Sequence, residues 1–213
     1  MELMDVASFL NDLANYSIIV PIGIGLYYFS QIDTTLRILF WGMIVLVSQL
    51  IAFGVFQINS AFVFAYVNAA LDTLIFAAFF GKMIPYPSRR KLFYISACLT
   101  LVCIPIDVLY VSKFENFGYS TLFVKLAISL SSFLTLNHLF KSNLDKEIFR
   151  HPVVWVCFGL LIENLVGSFD IFSIAIMNYS QGLVLQFYMV WAFARIIMYL
   201  FFSYAFYLSG TER

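Results

Sequence analysis

Charge is scarce in this chain. Twelve Lys and Arg balance twelve Asp and Glu over 213 residues, so 11% of the sequence is charged and the formal net charge is zero. Soluble domains carry about 25% charged residues. Without a basic excess there is no electrostatic footprint for nucleic acid, and without an acidic block there is no solvating tail. Histidine is limited to His138 and His151, and no HExxH, GxSxG or GxGD sequence occurs. Metalloenzyme, membrane-protease and hydrolase chemistry therefore lacks residues to carry it, and no catalytic residue, metal or cofactor is expected. Cysteine is limited to Cys98, Cys103 and Cys157, an odd number without a CxxC, each inside an apolar run. That pattern fits small packing residues rather than a disulfide framework or a zinc site. The opening "MELMDVASFLNDLA" has no positively charged start, so a cleavable leader is not expected.

Apolar residues are abundant instead. They make up 62% of the chain, with 25 Phe and 13 Tyr among them. A helix crosses the hydrocarbon core with about 20 mostly apolar residues. Runs of that kind fall at 12–30, 36–56, 61–80, 92–111, 120–140, 152–177 and 183–208. The expected fold is all-α, a bundle of seven transmembrane helices forming one membrane domain over 1–213, with the lipid bilayer as its first partner. The last run contains no lysine, which excludes a retinal Schiff base there.

Lys and Arg mark the cytoplasmic side of such a chain. With seven spans, Arg37, Lys82, Arg89, Arg90, Lys91, Lys141, Lys146, Arg150 and Arg213 fall on one side and Lys113 on the other. This predicts the N-terminus outside and the C-terminus in the cytoplasm. On this topology two NxS triplets, Asn15–Ser17 and Asn178–Ser180, fall at outer membrane edges, too close to the bilayer to serve as glycosylation acceptors.

Six ionisable residues remain inside the spans: Asp72, Asp107, Lys125, Glu163, Asp170 and Arg195. A charge at membrane depth costs several kcal/mol unless it is paired, so such residues face the protein interior and mark function. Residue counts place Asp72, Glu163 and Arg195 near the midplane and Asp107, Lys125 and Asp170 in the outer third. The short connection between the last two spans suggests Glu163 with Arg195, and the fourth and fifth suggest Asp107 with Lys125. Asn68 and Asn164 accompany the acids as candidate ligand- or ion-binding groups. Tyr188, Trp191, Arg195 and Tyr199 share one side of the last span, a pattern that ordinary aromatic packing explains at least as well as a ligand wall. Pro21 and Pro105 predict kinks in the first and fourth spans, since neighbours can re-satisfy the freed backbone groups.

Two stretches carry a resemblance. "AYVNAALDTLIFAAFFGKMI" (Ala65–Ile84) and "HPVVWVCFGLLIENLVGS" (His151–Ser168) resemble the third and sixth spans of a group of small, uncharacterised bacterial seven-helix membrane proteins. Glu163 departs from that pattern, where a Tyr or apolar residue would be expected. Such proteins are often encoded beside two-component signalling genes, and the resemblance implies a bacterial inner-membrane location and a sensory or accessory role. A signalling partner would then meet the basic cytoplasmic residues Arg89, Arg90 and Lys91, although those residues are topology signals in their own right. The other class is a small transporter or channel using protonatable intramembrane carboxylates.

Overall fold

The computed structural model describes residues 3–56, 61–84, 87–112, 119–142, 147–177 and 181–211; the side chains of 3, 61–62, 87–89, 92, 111–112, 170–177 and 181 lie outside that description. Among the sequence candidates, the side chains of Arg89 and Asp170 fall outside it, as do Lys113, Lys146, Arg213 and the Asn178–Ser180 triplet. The described residues are 93% helical and contain no strand. The helices are α1 (Leu3–Tyr16), α2 (Ile19–Tyr27), α3 (Thr34–Val55), α4 (Ala61–Met83), α5 (Pro87–Ile106), α6 (Tyr119–Ser142), α7 (Pro152–Met177) and α8 (Gln181–Thr211). Seven helical stretches are long and apolar enough to cross a membrane.

The first of these runs from Met4 to Tyr27, eight residues earlier than the apolar run beginning at residue 12. The reason is that Asp5 and Asp12 are exposed and seven residues apart, so they share one face while the rest of the helix stays apolar. The stretch is interrupted between α1 and α2. Pro21 has no N–H to give the Ser17 carbonyl, which instead accepts from the Val20 amide at 3.2 Å, while the Ser17 hydroxyl donates to the Ala14 carbonyl at 2.6 Å. The freed groups are satisfied locally, and the interruption is a kink.

The helices group into two compact units. One comprises residues 1–32 and 128–213, the other residues 33–127. In the first unit α7 and α8 are antiparallel partners. Gly159 lies so close to α8 that a Cβ there would stand 3.2 Å from the Met198 Cα and carbonyl oxygen. Trp155 packs edge-on to Tyr204 at 5.0 Å between ring centroids and donates its indole N–H to the Phe149 carbonyl at 2.7 Å. α1 and α2 lie against α8, burying Ala7, Ala14, Ile18, Pro21 and Gly25, which recur at helical spacing. Small side chains let membrane helices approach closely, where dispersion and not the hydrophobic effect holds them.

In the second unit α3 packs on α4 and α4 on α5. Gly42 admits Ile75, whose Cγ2 would lie 2.6 Å from a Cβ at that position, and Gly81 admits the Tyr94 ring. α3 starts at an N-cap, Asp33, whose carboxylate accepts from the Thr35 amide at 3.1 Å. At the end of α5, Pro105 cannot donate to the carbonyl four residues back, and the next turn, Asp107–Ser112, is a π-helix. Cys98 and Cys103 are exposed on α5, whereas Cys157 is buried on α7.

Candidate functional site: an intramembrane polar relay

In the first unit the sequence puts a polar residue near the middle of each of three spans. Asn15 is eleven residues from Met4 and twelve from Tyr27, Glu163 is eleven from Pro152, and Arg195 is fourteen from Gln181. At 1.5 Å per residue, Glu163 lies about 16 Å from the start of α7, roughly half of a 30 Å core. The Asn15–Ser17 triplet thus sits at mid-span rather than at an outer edge, because the helix extends N-terminally past Asp12.

Glu163 and Arg195 do not bond to each other. Glu163 Oε1 accepts from the indole N–H of Trp191 at 3.0 Å. Arg195 donates from Nη1 to Asn15 Oδ1 at 2.9 Å, and its Cζ lies 3.9 Å from the centroid of the Trp191 ring. The expected direct ion pair is replaced by a relay through Trp191. The cause is helical spacing: Trp191 is one turn from Arg195 on α8 and lies on its Glu163 side, so the guanidinium stacks on the indole face and reaches on to α1. Tyr188 closes the row with its ring edge-on to Trp191 at 5.5 Å.

This geometry couples the two charges. An indole whose N–H is held by a carboxylate gains electron density on its face, which strengthens its attraction for a cation. Glu163, Trp191 and Arg195 are therefore half-buried together as an indirect ion pair. A guanidinium has five N–H donors and is always charged. Among the described residues only Asn15 accepts a hydrogen bond from Arg195.

The neighbouring candidate Asn164 is buried and donates to the Leu160 carbonyl of its own helix at 2.9 Å, an intrahelical role. Gly167, one turn beyond Glu163, is buried, as expected for an inward face. Asp170 follows on the same helix, seven residues from Glu163 and about 10 Å along its axis. Asn15 was not legible as a site residue, because its sequence signal was read as part of an NxS triplet. A polar side chain eleven residues into a span would have revealed it.

The remaining candidates belong to the second unit. Asp72 is half-buried at the centre of α4, and Asn68 lies one turn before it. Asp107 is buried, and its Oδ2 accepts from the Ser120 amide at 2.7 Å. Ser120 is the second residue of α6, so the carboxylate satisfies one of the amides left open at that helix start and complements its dipole. Lys125 is half-buried on the same helix. At the basic end of α5, Arg90 donates from Nε and Nη2 to the Ile84 carbonyl at 3.2 and 3.0 Å, closing the end of α4. Arg90 and Lys91 head an open groove of about 510 Å³ along α5, lined by Tyr94, Ile95, Cys98, Leu99 and Val102.

These features define the class: a multi-pass, all-α integral membrane protein with seven spans. Comparison of the chain with family models, with curated proteins and with solved structures gave no match.

Proposed function

We propose that the protein is a non-enzymatic sensory or accessory signalling module of a bacterial inner membrane, with its N-terminus outside and its C-terminus in the cytoplasm. The observation that carries this reading is the Glu163–Trp191–Arg195–Asn15 relay, which holds two opposite charges at mid-span through neutral groups. Such an arrangement has two states of similar composition. In one, Arg195 is held by Asn15 and the indole; in the other, it bonds Glu163 directly and releases α1. A stimulus that changes the charge of Glu163, or that offers Arg195 another anion, biases the choice. The output is a change in how α1 sits on α8. A partner would dock at the cytoplasmic residues Arg89, Arg90 and Lys91, where the α5 groove adds an apolar surface beside Arg90 and Lys91.

A second reading, a small transporter or channel, is favoured by the same absence of a direct ion pair. A mid-span carboxylate that accepts from an indole N–H can exchange a proton or accept a cation, with Asp72 and Asp170 as the other protonatable or cation sites of this reading. The test combines two measurements. Affinity purification from native membranes, followed by mass spectrometry, should recover a stoichiometric partner that is lost when Arg89, Arg90 and Lys91 are neutralised. Flux in proteoliposomes should be absent. Flux that falls on Glu163→Gln, with no partner recovered, would replace the signalling reading with transport.

A further inference from the structure

Below Arg90 and Lys91 the same side of α5 is apolar and exposed. Tyr94, Ile95, Leu99 and Val102 follow Lys91 at three, four, eight and eleven residues, so they form one stripe of the helix. Each is 41–60% exposed, and Cys98 in their midst is exposed as well, so the stripe is a continuous surface and not a set of scattered contacts. It forms the open groove of about 510 Å³ that the two cations head. At the top of the groove the Tyr94 ring leans onto Gly81 of α4, where a Cβ would leave it no room. A tyrosine at that depth suits the membrane interface, where its ring and hydroxyl meet different surroundings.

The groove has the depth of one leaflet. The apolar span of α5 begins at Phe93, and Val102 is nine residues further on. At 1.5 Å per residue that is about 14 Å, close to half of a roughly 30 Å hydrocarbon core. The cations stand two and three residues before the span, at the level of lipid head groups. Arg90 is fixed there: Nε and Nη2 donate to the Ile84 carbonyl, and the Nη1 donors point to no carbonyl of that turn. A guanidinium has five N–H donors, so an anion can be bound without breaking either bond.

We propose that this groove is a binding site for one anionic phospholipid, with the phosphate on Arg90 and Lys91 and an acyl chain along Ile95, Cys98, Leu99 and Val102. The chemistry of the two ends selects the occupant. A soluble anion would leave the apolar floor empty, and an apolar molecule would leave the cations unmatched. A soluble protein partner could reach the charged head but not Val102, which lies at the depth of the bilayer interior. Net negative charge is needed as well, because the ammonium of a zwitterionic head group would face Lys91. Basic residues beside membrane spans attract anionic lipid on the same grounds. The inference does not rest on the signalling reading; it needs only that α5 crosses the bilayer.

The test is native mass spectrometry of the delipidated full chain in detergent, titrated with phosphatidylglycerol and with phosphatidylethanolamine of the same acyl chains. One phosphatidylglycerol should be retained in preference to phosphatidylethanolamine. Arg90→Gln combined with Lys91→Gln should weaken its retention roughly thirtyfold, about fivefold for each cation lost. Lys141→Gln, which removes an exposed cation at the end of α6, should leave retention unchanged. Cys98→Trp fills the groove with both cations in place and should abolish retention. Equal binding of the two lipids overturns the proposal, as does full retention in the double variant. Displacement of the lipid by excess glycerol 3-phosphate would reveal a site for the anion alone and also overturns it. So does a protein retained in place of the lipid and lost in Cys98→Trp. If the double variant does not fold, Cys98→Trp decides the matter, and phosphatidylglycerol still held there overturns the proposal.

Discussion

Arg195 reaches Glu163 only through Trp191: the guanidinium carbon lies 3.9 Å above the indole ring, and the indole N–H donates to the carboxylate at 3.0 Å. The two charges share one aromatic group, so the energy of each depends on the state of the other.

Trp191→Phe keeps a ring for Arg195 and removes the donor to Glu163. Interhelical hydrogen bonds in membrane proteins average about 0.6 kcal/mol, with a maximum near 1.7. The substitution should destabilise the protein within that range, and Glu163→Gln made in its presence should cost less than it does alone. Unfolding measured for the two single variants and the double variant gives the coupling directly. Strict additivity would show that the indole and the carboxylate do not communicate.

Asn15→Asp tests the other end of the relay. A carboxylate 2.9 Å from Arg195 Nη1 would form a direct ion pair in place of the native hydrogen bond. Tm should rise at neutral pH, and the gain should vanish in an Arg195→Gln background. Asn15→Leu, by contrast, removes the hydrogen-bond acceptor of a mid-span guanidinium and should cost about 1–3 kcal/mol.

Gly159→Ala tests the close approach of α7 to α8. The atoms 3.2 Å from the added Cβ are the Met198 Cα and carbonyl oxygen, which are backbone and cannot rotate away. Overpacking of this kind costs about 1–3 kcal/mol. The expected result is a lower Tm and a weaker Trp155–Tyr204 contact, visible as altered tryptophan fluorescence. An unchanged Tm would mean that the helices separate without loss.

Asp33 gives the pH dependence. Burial pushes its carboxyl pKa up, but hydrogen bonds from the amides and hydroxyls of Thr35 and Thr34 outweigh it, and the net shift is downward from 3.8. A carboxylate with a lowered folded-state pKa stabilises the fold above its unfolded value and loses that contribution as pH falls through the folded one. Asp33→Ala should therefore cost about 1 kcal/mol near neutral pH, as for other N-caps. The difference from wild type should hold down to about pH 4 and close below 3.8.

Much of this architecture is written in composition and periodicity. The seven spans follow from runs of apolar residues about 20 long, because an isolated backbone in lipid must satisfy its own hydrogen bonds and only a helix of that length does so. The span Pro152–Met177 coincides with α7 to the residue, and Glu163 and Arg195 stand out as mid-span charges from counting alone. Pro21 marks the break in the first span by its missing N–H.

Tertiary contact decided the rest. Residue counts give depth along a helix but not its rotation or its partner. For that reason Glu163 and Arg195 could be placed at one level, yet not known to be separated by an indole. Asn15 is uncharged, and counting its depth along a span does not show what it faces. Its importance comes from what stands opposite, Arg195 on α8. Which side chains meet across a helix pair depends on the register that Gly159 and Gly42 permit, and that register is set by packing between segments distant in sequence.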